Sequence, residues 1–159
     1  MKYSRFEELP VWNAAIEIAV QIYHLTSRPV FKSRYSLRDQ IERAAVSISN
    51  NIAEGFERGT TQELLTFLYI ARGSCGEVRS MLCLLERLPV FADLKFEISN
   101  LKLSSEGISR QLRAWADFLQ NSEVRGQRYL TNRTKGKSKE AREREEFLKE
   151  LEQIKNRKT

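Results

Sequence analysis

The sequence predicts an all-α protein built on one antiparallel, up-down-up-down four-helix bundle, and three observations carry that expectation. Apolar residues recur at alternating spacings of four and three along four separate segments. The breaks between segments are short and rich in Pro or Gly. Gly (7) and Pro (3) are too few in 159 residues for the turns of a β-sandwich or barrel. The bundle is expected over residues 1–121. Residues 122–159 read as a basic C-terminal extension ending in a short amphipathic helix at about residues 139–156.

In the first segment Val11, Ala15, Ile18, Ile22 and Leu25 hold the rhythm, and Pro10 suits the first helical turn, where its missing N–H costs nothing. Breaks are expected near Ser27–Ser33, with Pro29, at Gly55–Thr60, at Leu88–Val90, with Pro89, and from Gly126 onward. The second segment carries Leu37, Ile41, Ala44 and Ile48, then Ile52 and Phe56 after a one-residue slip near Asn51. The third runs through Leu64, Leu68, Ala71, Cys75, Val78, Leu82 and Leu85. Thr60 or Thr61 can cap it, and Glu63 lies where a capping-box acid belongs. The fourth carries Leu94, Ile98, Leu101, Ser105, Ile108, Leu112, Trp115 and Leu119. A sustained repeat near 3.5 residues keeps one seam turned toward the neighbours, which favours shallow bundle crossings. At about 28 residues, the third and fourth helices would each run roughly 42 Å.

Apolar content exceeds these seams. Leu65, Phe67, Ile70, Met81 and Leu84 flank the third, and Trp12, Ala19 and Tyr23 flank the first. A four-helix bundle has no central helix to bury a second stripe, so self-association is expected.

Charge is segregated. Between Glu123 and Glu140 lie Arg125, Arg128, Arg133, Lys135, Lys137 and Lys139 with no acid among them, and these six equal the whole formal charge of +6. Such a stretch favours a polyanion. The cations would hold phosphates, and Tyr129 could stack on a base. Beyond it, Phe147, Leu148, Leu151 and Ile154 make one narrow apolar stripe, too little to support a domain.

Catalytic patterns are missing. A di-iron bundle needs Glu-x-x-His pairs, but the one histidine, His24, follows Gln21 by three residues. Cys75 and Cys83, roughly 12 Å apart along one helix, cannot form a disulfide. Glu54, Glu63 and Glu77 have no pocket indicated by the sequence. The GSCG stretch at Gly73–Gly76 is not a phosphate loop, since no strand precedes it. A helix-turn-helix centred there would reset the register, yet Ala71, Cys75 and Val78 stay in phase across Gly73. The small residues at 71–76 instead suggest close approach of another backbone. No metal or cofactor is expected. Asn51, within the polar run Ser47, Ser49, Asn50, Asn51 and Glu54, is placed to fix register. With no apolar leader and no run near the ~18 residues of a span, a cytoplasmic protein away from membranes is expected.

The stretch FEELPVW at Phe6–Trp12 and the long run LRDQIERAAVSISNNIAEGFERGTTQELLTFLYIARGSCGEVRSML at Leu37–Leu82 resemble one bacterial four-helix-bundle family. That family includes proteins encoded by intervening sequences of 23S ribosomal RNA genes and the accessory variability determinants of diversity-generating retroelements. The most specific pieces are Ala44–Ser47, Asn51–Gly55 and Arg72–Ser74 with Glu77. The resemblance implies a homopentameric barrel and no enzymatic activity. In the retroelement branch it further implies binding of a reverse transcriptase and its template-repeat RNA during mutagenic copying. The wording FERGTTQELLTFLYIARGS and NSEVRGQRYL is closer to that branch; the alternative is an oligomer of the intervening-sequence type without a polymerase partner. Residues expected to specify the bundle or its oligomer are Trp12, Asn51, Glu54, Gly55, Phe67, Ala71, Arg72, Gly73 and Glu77.

Overall fold

A computed structural model of the chain describes residues 3–121. The predicted extension at 122–159, its helix at about 139–156, and Arg125, Arg128, Tyr129, Arg133, Lys135, Lys137 and Lys139 lie outside the described residues.

Four helices form the fold: α1 Pro10–Thr26, α2 Tyr35–Glu57, α3 Thr61–Arg87 and α4 Lys95–Gln120. No strand occurs among the described residues. Each helix runs antiparallel to the one before. Thr26 reaches Glu42, Ser47 reaches Ser74, and Lys102 meets Glu86 at 2.6 Å. α3 packs between α2 and α4, and α1 closes the bundle against α2 and α4. No helix among the described residues is long and apolar enough to cross a membrane.

The heptad positions predict the core closely. All five seam residues of α1 and all seven of α3 are buried. In α2 the buried set is Ile41, Ala44, Ala45, Ile48, Ser49, Ile52, Gly55 and Phe56. The slip near Asn51 is therefore the drift between a 3.5 and a 3.6 period, not a break. In α4 the same drift replaces Trp115, half-buried, with Ala116 in the core. Leu94 precedes α4 and is half-buried.

Two expectations need correction. α2 does not end at Gly55 but runs two residues further, because Gly55 serves packing rather than turning. The flanking residues Leu65 and Ala19 are buried within a single bundle, so they need no second subunit. Trp12, Phe67 and Met81 are half-buried; Ile70, Leu84 and Tyr23 stay exposed.

The connections α1–α2 and α3–α4 lie at the same end and both read Pro-Val-Phe, at Pro29–Phe31 and within Pro89–Leu94. Proline starts each turn with its φ already set. Phe31 and Phe91 turn inward, their ring centroids 5.0 Å apart, and plug the bundle end. At the other end Thr60 caps α3: its hydroxyl accepts from the Glu63 amide at 3.2 Å and donates to the Glu63 carboxylate at 2.8 Å. Thr60→Ala is expected to destabilise the protein by about 1 kcal/mol, seen as a lower urea midpoint. Thr60→Ser should keep most of that stability.

Candidate interaction surfaces

Most of the residues carrying the resemblance lie on α2 and α3, and several meet at the seam between those helices. Small side chains on α2 let the helices approach closely. A Cβ on Gly55 would stand 2.6 Å from Phe67 Cβ and 3.3 Å from Leu64 Cδ1. One turn away, Asn51 Nδ2 donates to the Ser47 carbonyl at 2.7 Å and to its hydroxyl at 2.9 Å. The Ser47 and Ser74 hydroxyls hydrogen-bond at 2.9 Å, and Ser74 donates to the Ile70 carbonyl at 3.2 Å. This ladder satisfies every hydroxyl with directional bonds, so sliding α2 by one turn would strand partly buried donors.

The turn itself is clamped by charge. Arg58 pairs with Glu54 at 2.6 Å, reaches Glu63 at 3.8 Å, and lies 5.2 Å above the Phe67 ring. The Glu54 hydrogen bond raises the Arg58 pKa above its ordinary value. Glu54 is thus a local turn residue on the surface. α3 and α4 are joined by a matching buried bond, Ser105 Oγ donating to the Cys75 carbonyl at 2.9 Å.

The remaining expected positions separate. Ala71 is core, Arg72 is half-buried, and Trp12 packs edge-on against Phe6 with centroids 5.1 Å apart. Gly73 and Glu77 are exposed, lining an open groove of about 860 Å³ between α2 and α3 together with Arg43, Ser80 and Met81. Among the described residues no backbone approaches the small-residue stretch from outside: a Cβ on Gly73 or Gly76 would meet nothing there within 4 Å. Within the chain, the smallness of Ser74 and Cys75 serves the α2 and α4 contacts instead.

Sequence reasoning overlooked the outward side of α4. Phe96 is 81% exposed, Leu103 64% and Phe118 69%. With Gly107 and Ala114 they recur at spacings of 7, 4, 7 and 4, a second seam facing away from the core. The signal was present but faint, because two of its members are glycine and alanine and the intervening turns hold Asn100 and Arg110. Gly107 would also tolerate a Cβ in open space, and a mid-helix glycine costs about 1 kcal/mol relative to alanine. Ile16, Val20 and Tyr23 make a shorter outward stripe on α1. At the C-terminal end of α4, Trp115 and Phe118 join Tyr3, Leu9, Pro10 and Val11 around an open, apolar groove of about 390 Å³.

Among the described residues no group of three or more His, Cys, Asp or Glu side chains could hold a metal ion. His24 is exposed in the last turn of α1. α3 is continuous across Gly73, which leaves no helix-turn-helix there. Burial pushes the Cys75 thiol from 9.0 up to about 12. The folded state therefore holds this proton more tightly than the unfolded chain. Its contribution is whole below pH 9.0 and declines between 9.0 and about 12, by about 1.4 kcal/mol per pH unit. Cys75 should resist thiol reagents until the protein unfolds, whereas Cys75→Ser should remove this part of the alkaline loss in pH-dependent melts.

Three comparisons bear on identity. No curated protein matches the chain. A crystal structure of a protein of unknown function from the S23 ribosomal protein family of Bacteroides thetaiotaomicron superposes with a TM-score of 0.61. The two chains are 24% identical over 67% of this chain and 97% of that one, and the likeness establishes the fold alone. The family model for the 23S rRNA-intervening sequence protein matches residues 7–114, the span that holds the α2–α3 seam and most of all four helices. The chain belongs to the 23S rRNA-intervening sequence protein family.

Proposed function

We propose that this protein is a non-catalytic, cytoplasmic scaffold that associates with itself, as a ring of five, and works by holding other molecules together. The observation that carries the reading is the apolar surface left on a finished bundle. Phe96, Leu103 and Phe118 remain in water although the interior is already filled. Isolated exposed side chains need no explanation, but three large ones in register over 23 residues of one helix mark an interaction surface. The test is native mass. Five chain masses would support the ring, and a monomer at micromolar concentration would overturn the scaffold.

The segregated charge of residues 125–139 favours a second, finer reading: an RNA-binding accessory subunit that presents template RNA to a reverse transcriptase in a diversity-generating retroelement. Its six cations would bind phosphate without reading sequence. Titration with structured RNA should then show affinity falling by about three decades over about a fourfold rise in salt, as six phosphate contacts demand. Deleting residues 123–159 should remove most of it. Negligible binding at low salt would leave the plain oligomer as the function.

A further inference from the structure

The outward face of α4 bears two complementary features at its opposite ends. Phe96, in the first turn, is the most exposed large apolar side chain among the described residues, at 81%. In the last turns Phe118 and Trp115 form one wall of the open apolar groove closed by Tyr3, Leu9, Pro10 and Val11. Knob and groove are separated by 22 residues, roughly 33 Å along the axis, so neither can satisfy the other within one straight helix. Resting on the self-association proposed above, we infer that the groove is filled by Phe96 of a second copy of this chain, head to tail, so that the knob and the groove of each copy meet two different neighbours.

Four observations favour a second copy over an unrelated partner. One sequence supplies both halves of the fit. The groove, at about 390 Å³, has room for a phenyl ring, and its lining is mostly apolar, with Gln111, the Tyr3 hydroxyl and the Trp115 indole N–H as its polar groups, so an apolar knob suits it. Gly107, midway between the two phenylalanines, keeps the middle of the stripe flat, and the space beyond its Cα is open. Exposed area is also sufficient. A phenylalanine buries on the order of 150–250 Å², so Phe96, Phe118 and Leu103 together leave roughly 400 Å² in water. That is about half of the ~800 Å² each partner gives to a standard interface, and the groove walls supply more.

The test compares the full-length protein with Phe96→Glu, Phe118→Glu and, as a control on exposed apolar surface elsewhere, Leu84→Glu on α3. All three sites are about half exposed or more, so helix content by circular dichroism should not change. Analytical ultracentrifugation should show association weakened about thirtyfold or more, shifting the two α4 variants toward monomer, the size of a hot-spot loss, with Leu84→Glu near wild type. Mixing supplies the specific readout. Phe96→Glu keeps an intact groove and Phe118→Glu keeps an intact knob, so differently tagged chains should pair when combined although neither pairs alone. An oligomeric wild type that both α4 substitutions leave intact overturns this inference while sparing the scaffold. Equal disruption by Leu84→Glu, or failure of the mixture to pair, also overturns it. A monomeric wild type removes both readings.

Discussion

Gly55→Val is expected to destabilise the bundle by about 3 kcal/mol, at the upper end of overpacking costs. The first added atom would stand 2.6 Å from Phe67 Cβ, with the Leu64 side chain at 3.3 Å and its carbonyl at 3.4 Å. Phe67 Cβ is fixed to the α3 backbone, so no rotamer change relieves the contact. The helices must separate, and doing so stretches the hydrogen bond between Ser47 and Ser74 two turns away. Gly55→Ala isolates the steric part. Alanine gains about 1 kcal/mol of helix propensity yet meets the same Phe67 atom, so a net loss of about 1–2 kcal/mol is expected. Urea denaturation of both variants, read as the midpoint at constant slope, checks the order wild type, alanine, valine. A Gly55→Ala protein more stable than wild type would show that the α2–α3 approach is looser than described.

The second large effect separates two leucines on one helix. Leu82 is fully buried and Leu84 is 49% exposed. Leu82→Ala removes the same atoms as Leu84→Ala but leaves a cavity in the core, at an expected cost of about 2–5 kcal/mol. Leu84→Ala should stay within about 0.5 kcal/mol, measured under conditions where the protein is monomeric. Similar losses at the two sites would contradict the assignment of the α3 seam.

Much of the fold was legible because its determinants are local. The α3 seam from Leu64 to Leu85 repeats every three or four residues, so one helix face can be read without knowing what covers it. Thr60 and Glu63 lie three residues apart, and their reciprocal bonds follow from helix geometry. Gly55 is ambiguous in the sequence, since glycine ends helices and also permits close packing. The decision between those two uses belongs to Phe67, on the next helix. Among the candidate interaction residues, Asn51, Gly55 and Phe67 were visible as a motif, but the Ser47–Ser74 bond that continues from Asn51 and the Arg58 stack on Phe67 emerged only from the packed α2–α3 pair. The outward stripe of α4 escaped notice because alternating phenylalanine, glycine and alanine is a weak periodic signal beside a strong core seam.

The sequence by itself determined the helical class, the number of helices, their core faces and the segregation of positive charge into residues 125–139. All of these are properties of spacing along one chain. Tertiary structure alone decided which surfaces were left over. It brought the two Pro-Val-Phe turns together so that Phe31 and Phe91 close one end. It also set Leu9 and Val11 beside Trp115 and Phe118, more than 100 residues away, to make the groove at the other. Periodicity specifies which side of a helix is apolar; only the neighbour that arrives determines whether that side is covered.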